Sequence, residues 1–265
     1  MTGGTRVHEN LVETRHDGGV AVLRIDRESA LGALSRGMVE ALGAYLARLR
    51  ADDGVRVLVL TGTGRGFIAG ADVNEYSGVT RTAFDDYQRL SRGVFDALAA
   101  LPQPTVAAVN GYALGGGFEV ALCCDLVVAS TAARFGLPEI SLGLVPGGGG
   151  TVRLARAVGA RVTKELILTG RRIRPDEARA LGLLAAVTEP DDLLPRALDL
   201  AGTIARQAPL AAREGKRLVD DGLETGLAAA LTREQQALSW LSTTEDAREG
   251  VAAFLEKREP VFRGR

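Results

Sequence analysis

Apolar positions along this chain alternate between two periods. Over residues 35–50, Met38, Val39, Leu42, Leu46 and Leu49 recur at intervals of three and four. That spacing predicts an amphipathic helix, and Ser35 is placed to cap its start. Residues 55–60 (Val-Arg-Val-Leu-Val-Leu) form a short β-branched run, which reads as a buried strand. Residues 11–15 and 20–25 flank Asp17, Gly18 and Gly19, turn residues that suit a β-hairpin. Further on, the pattern predicts a helix over 82–101 ended by Pro102, a strand over 105–109, a helix opening on the glycines after Leu114 and a strand over 126–129.

Three times an apolar run leads into a glycine-rich loop, at 62–70, 111–117 and 143–150. The loops share too little sequence for a solenoid, but they suggest stacked strand–strand–helix turns around one core. After Val187 the strand pattern stops, and residues 193–207, 210–220, 223–241 and 244–258 read as helices. The linker around Thr188, Glu189 and Pro190 and the alanine-rich tail divide the chain into a core over 1–197 and a helical region over 198–265.

Composition narrows the function. A 265-residue chain with 46% hydrophobic residues can bury a substantial core. A net charge of −1, with no basic cluster, argues against a nucleic-acid binder or a membrane-surface protein. Lysine occurs only at Lys164, Lys216 and Lys257, so arginine carries nearly all the positive charge. The polar start lacks the apolar segment of a secretory signal, and no apolar run approaches a membrane span. Cys123 and Cys124, the only cysteines, are adjacent among apolar residues and read as buried thiols, with a cytoplasmic location as the default. His8 and His16 both lie near the N-terminus, far in sequence from the glycine-rich segments. Histidine-based triads, dyads and zinc sites are therefore excluded there, and proton transfer falls to carboxylates, tyrosines or backbone groups.

Two acids stand in the glycine-rich apolar stretches, Glu119 after Gly115-Gly116-Gly117 and Glu139 before the 147–150 glycines. Burying a carboxylate is costly unless something pairs or uses it, and two of them suit a general acid and a general base. The plainer readings are a helix-start cap or ion pair for Glu119 and a salt bridge from Glu139 to Arg134 or Arg153. Gly115–Gly117 allows a sharp turn whose following amides can hold negative charge on an oxygen. Close strand–helix packing would also account for it. The run 147–150 has the same two readings, and we favour a helix start that walls a pocket. Gly62-Thr-Gly64-Arg-Gly66 resembles part of a dinucleotide fingerprint, but the third glycine comes one residue early and no long helix follows.

Several segments in order carry a resemblance: 67–72 (Phe-Ile-Ala-Gly-Ala-Asp), 108–119, Cys124-Asp125, 135–139 (Phe-Gly-Leu-Pro-Glu), 143–151, Leu154 and 168–170. Together they resemble the enoyl-CoA hydratase/isomerase, or crotonase, superfamily over essentially the whole chain. The resemblance implies an α/β spiral of repeated ββα units with a C-terminal helical region used in trimerisation, as a trimer or a dimer of trimers. It implies a coenzyme A thioester as substrate, with no metal and no separate cofactor. The backbone amides of Ala71 and Gly116 fall on the family's oxyanion hole. Ala69, Ala71, Asp72, Val73, Asn74 and Gly116 fall on its coenzyme-binding segments, and Phe254 and Lys257 on a C-terminal pair that touches the coenzyme.

Hydratases of this family carry both glutamates. By resemblance Glu119 orients and deprotonates water, and Glu139 protonates the α-carbon. The implied activity is hydration of a 2-enoyl thioester in fatty-acid or related acyl-CoA metabolism. The alternatives are an enoyl-CoA isomerase, a specialised dehydratase or a silent acyl-CoA binder. Gly32 departs from the pattern, standing where asparagine is usual, and Asp125 reads as structural.

Overall fold

A computed structural model describes residues 4–265. Strands β1 (Thr5–His8), β2 (Leu11–His16) and β3 (Val20–Ile25) form an antiparallel meander, and helix α1 (Arg36–Arg50) follows. Ser35 caps α1 as the sequence suggests, its hydroxyl accepting from Met38 N. Strands β4 (Val57–Gly62) and β5 (Gly66–Ile68) then lead to α2 (Arg81–Ala99). The next turn runs β6 (Thr105–Val109), β7 (Tyr112–Leu114) and α3 (Gly116–Cys123). A third runs β8 (Leu126–Ser130), β9 (Arg134–Gly136), a 3-10 turn at Pro138–Leu142, and α4 (Gly150–Val158). After α5 (Ala160–Thr169), β10 (Arg172–Ile173) and α6 (Pro175–Ala180), the last strand is β11 (Ala186–Thr188). Helices α7 (Leu193–Ala205), α8 (Pro209–Gly222), α9 (Leu227–Leu241) and α10 (Glu245–Glu256) complete the chain.

The first strand of each turn joins a seven-stranded sheet, in the order β1-β2-β3-β4-β6-β8-β11, parallel from β3 onward. The second strands pair in a smaller sheet, β10-β9-β7-β5. This is the spiral of ββα units expected from the sequence. In the third unit the glycine run 143–150 does not join two strands: it follows β9 and opens α4.

Strand period decides which side chains face which layer. In β4, Leu58 and Leu60 face the main core beside α1, α2 and α3, whereas Val57 and Val59 face α7. Helix α7 meets that second face with Leu193 and, at successive turns, the small side chains of Ala197, Ala201 and Ala205, which let it lie close to the sheet. The boundary drawn at 197/198 therefore falls inside a helix that belongs to the sheet. Packing changes after Ala205: α8 buries no residue fully and α9 only Ala237.

The helical tail is nevertheless tied down. Lys216 of α8 pairs with Asp125 at 2.9 Å, and Asp125 accepts from Thr105 N and Oγ1, which makes it a structural acid as read from sequence. Arg56 donates to Ala205 O and Phe262 O. No described helix is long and apolar enough to cross a membrane.

Candidate active site

The two amides singled out from the sequence lie side by side, each placed there by a glycine. Beyond β5, Leu34 N donates to Gly70 O and Asp72 N to Leu34 O, which anchors the chain on both sides of Ala71. Gly70 adopts φ +117, a conformation only glycine takes readily, and Ala71 N has no acceptor among the described residues. Gly115, at φ +51, donates to Gly136 O and turns β7 into α3. Gly116 N then stands at the first position of α3, where an amide has no partner within the helix. A Cβ on Gly116 would lie 3.9 Å from Ala71 N, and one on Gly117 would lie 1.8 Å from Ile68 O. Gly117 thus supplies the close strand–helix packing, and Gly116 the helix start. An unpaired amide at a helix N-terminus, with a second from the loop beside it, suits an oxygen that gains negative charge.

Glu119 sits in the first turn of α3, only 3% exposed. Its Oε1 accepts from Gly148 N and Gly150 N, each at 2.8 Å, while Oε2 makes no hydrogen bond within the described residues. The glycine run is required for this embrace. A Cβ on Gly148 would meet the Phe95 ring at 2.5 Å and Glu119 Oε2 at 2.6 Å, and Gly149 adopts φ +111. Run 147–150 is the helix start favoured from sequence, and it faces the carboxylate. Burial raises the Glu119 pKa, opposed by those two amides and by Arg92 and Arg153.

Glu139 lies in the 3-10 turn opened by Pro138. A Cβ on Gly115 would be 2.9 Å from its Oε1, so the carboxyl reaches the mouth of α3. Its Oε2 is buried with no hydrogen-bond partner among the described residues. Burial pushes its pKa up to about 7, and the charge of Glu119 adds to the shift. The salt-bridge alternative does not hold: Arg153 pairs with Asp96, and Arg134 donates to the carbonyls of Thr131 and Ala133. Glu119 does cap a helix start, but with one oxygen only.

The remaining expected residues divide. Ala69 N donates to Leu31 O, and Asp72 accepts from Asn74 N while pairing with Arg27 at 2.7 Å, so both shape the loop beside Ala71. Arg27 holds the Asp72 carboxyl below its ordinary pKa. Val73 (65% exposed) and Asn74 stand open on the rim. Phe254, 83% exposed, and Lys257, at the C-terminal end of α10, share no hydrogen bond or ion pair with that loop. The structure therefore gathers Glu119, Glu139, Ala71 and Gly116, while Phe254 and Lys257 make no hydrogen bond or ion pair with them. At Gly32 φ is +76, a conformation asparagine also tolerates, but a Cβ there would lie 2.5 Å from Phe67 O.

Sequence reasoning missed Tyr76 and Gln88. Gln88 Nε2 donates to Tyr76 Oη at 3.4 Å, and a Cβ on Gly147 would meet Gln88 Oε1 at 2.7 Å, so the pair packs against the glycine run that holds Glu119. Burial raises the Tyr76 pKa, with smaller contributions from Glu119 and Glu139. Nothing in a lone tyrosine on a loop marks it for this place.

A double-sheet spiral that brings together two amides and two carboxyl groups, one buried and one half-buried, is suited to acid–base chemistry beside a polarised carbonyl. The family profile for enoyl-CoA hydratase/isomerase matches residues 15–265, and the chain belongs to that family. It is 42% identical to the 2,3-dehydroadipyl-CoA hydratase of Escherichia coli, over 93% of this chain and 96% of that one. Identity to the short-chain-enoyl-CoA hydratase of Clostridium acetobutylicum is 39%, covering 94% and 96%. The crystal structure of an enoyl-CoA hydratase from Bacillus anthracis superposes with a TM-score of 0.95 at 37% identity, covering 97% of this chain and all of that one.

Proposed function

We propose that the protein is an enoyl-CoA hydratase, adding water reversibly across the 2,3 double bond of a 2-enoyl-CoA thioester. One observation carries the reading: Glu119 keeps one oxygen free while Glu139 holds an unpartnered oxygen near neutral pKa, beside two unpaired amides. The thioester oxygen accepts from Ala71 N and Gly116 N. Water held at Glu119 Oε2 gives that oxygen a proton, and its hydroxide adds to the β-carbon. The π electrons move toward the thioester, where the two amides hold the enolate charge. Glu139, protonated at rest, passes its proton to the α-carbon, and exchange with solvent then takes the proton from Glu119 and returns one to Glu139. Dehydration runs the same path backward with the roles exchanged.

On this reading coenzyme A enters as part of the substrate and no metal or separate cofactor is needed. Loop residues Ala69, Asp72, Val73 and Asn74 lie beside Ala71 to receive it. Relatives named as short-chain-enoyl-CoA and 2,3-dehydroadipyl-CoA hydratases support the reaction. The free buried thiols Cys123 and Cys124 support a cytoplasmic location, and the apolar faces of α9 and α10 support assembly as a trimer or a dimer of trimers.

The test follows loss of the conjugated-thioester absorbance when the protein is given a short 2-enoyl-CoA in water. Glu119→Gln and Glu139→Gln are expected each to lower kcat by about 10²–10⁴. Full turnover in both variants sinks the two-carboxyl mechanism. Turnover of a 3-enoyl thioester without hydration of a 2-enoyl thioester points to an isomerase, and tight binding without turnover to a silent binder.

A further inference from the structure

Glu119 is held by backbone donors, and such donors are aimed only as well as the segment that carries them. The glycines at 147–150 have no side chains with which to anchor themselves. Arg153, in the first turn of α4, anchors them instead. Its amide donates to Gly149 O at 2.8 Å, and its Nε lies 3.0 Å from where a Cβ on Gly149 would stand, so its side chain folds back over the turn. Its Nη2 reaches Asp96 Oδ1 on α2 at 2.9 Å, and Arg92 Nε holds the other Asp96 oxygen at 2.8 Å. Asp96 thus ties the start of α4 to the helix whose Phe95 ring closes against Gly148.

Ion pairs with side chains 28% and 46% exposed add little to global stability. This pair acts locally, because it bridges the two elements that enclose one carboxylate. We propose that Arg153, clamped by Asp96, is a positioning residue that keeps the amides of Gly148 and Gly150 aimed at Glu119 Oε1. The inference rests on Glu119 acting as the base.

Glu119 is faced by Arg92 from α2, Arg153 from α4, Cys123 further along α3, Glu139 from its turn and Tyr76 from the loop before α2, and Asp96 of α2 pairs with both arginines. Amides that lose their aim stop favouring the ionised form, so Glu119 then titrates at higher pH. Asp96→Asn separates aim from charge. Removing a nearby negative charge would by itself lower the Glu119 pKa, whereas releasing the clamp raises it.

The experiment is a carbon-13 NMR titration of the glutamate carboxyls, with the Glu119 signal assigned by its absence in Glu119→Gln. Arg153→Gln and Asp96→Asn are expected to move the Glu119 titration up by about half a pH unit or more, and Arg153→Lys to restore most of the shift. In turnover the first two variants lower kcat about tenfold, with KM for the thioester within about twofold, as expected when only transition-state alignment suffers. A Glu119 titration in Asp96→Asn that stays in place or moves down overturns the proposal. The titration needs no turnover, so an inactive wild-type protein would count against the hydratase reading alone.

Discussion

A carboxyl group that keeps its proton near neutral pH biases stability as well as reactivity. Burial first, and the charge of Glu119 second, raise Glu139 from 4.5 to about 7. The folded protein therefore binds this proton more tightly than the unfolded chain does. The stability gained is complete below pH 4.5 and is lost as pH rises through about 7. Glu139→Gln, which cannot ionise, should leave the thermal midpoint unchanged at acidic pH and raise it under alkaline conditions. Because the group is part-exposed, the expected gain is on the order of 1–2 kcal/mol. Equal melting shifts at both ends of the range would place the strain elsewhere. The same proton shapes the rate. Hydration needs Glu139 protonated, so kcat/KM for the 2-enoyl thioester should fall as pH rises past about 7. Adding water exchanges no net proton, so kcat/KM for dehydration should fall in parallel. Initial rates measured in both directions across pH check this, and a profile that stays flat through pH 7 would contradict the role given to Glu139.

At the scale of elements, the site depends on how closely α3 approaches β5. Gly117→Ala would put a methyl group 1.8 Å from Ile68 O, a contact no rotamer can relieve because the neighbour is backbone. We expect a loss of about 1–3 kcal/mol in urea unfolding and a fall in kcat as the Gly116 amide moves off the carbonyl. Gly93→Ala in α2, where a Cβ meets nothing within 4 Å, is the control, and should gain up to about 1 kcal/mol. Equal effects at the two glycines would refute the packing argument. The contrast also explains what the sequence made legible. Helices α1 and α2 announce themselves because long periodic runs face a core, and strand β6 because it is a continuous apolar run buried at every position. Strands β5, β7 and β9 are three residues each, two of them containing glycine, too short for any period to register. Glu119 and Glu139 stood out as acids among apolar neighbours. Their partners did not, because the donors from Gly148 and Gly150 are backbone groups that carry no side-chain signature. The reach of α7 across the drawn boundary was hidden by its alanines, which look alike in a tail and in a tight helix–sheet contact.

For the whole molecule, the apolar surface left by the last two helices has to be explained. On α9, Leu227, Leu231 and Leu238 are 75%, 51% and 68% exposed, and on α10 Val251, Phe254 and Leu255 exceed 60%. Each set recurs at helical spacing, so each makes one continuous face rather than scattered exposure. A face of this kind is costly in water, and in the proposed trimer a second copy of the same chain would cover it, the closed ring leaving no open end. Charges on that face should therefore disperse the assembly. We expect the double variant Leu231→Glu, Leu238→Glu to sediment as a smaller species, with unchanged far-ultraviolet circular dichroism, and wild-type sedimentation in the variant would remove these residues from the interface. Activity of the smaller species then tests how self-sufficient the site is. Glu119, Glu139, Ala71 and Gly116 all come from one chain, so dispersed subunits should still turn over a short thioester. A folded but inactive smaller species would mean that a neighbouring chain completes the site.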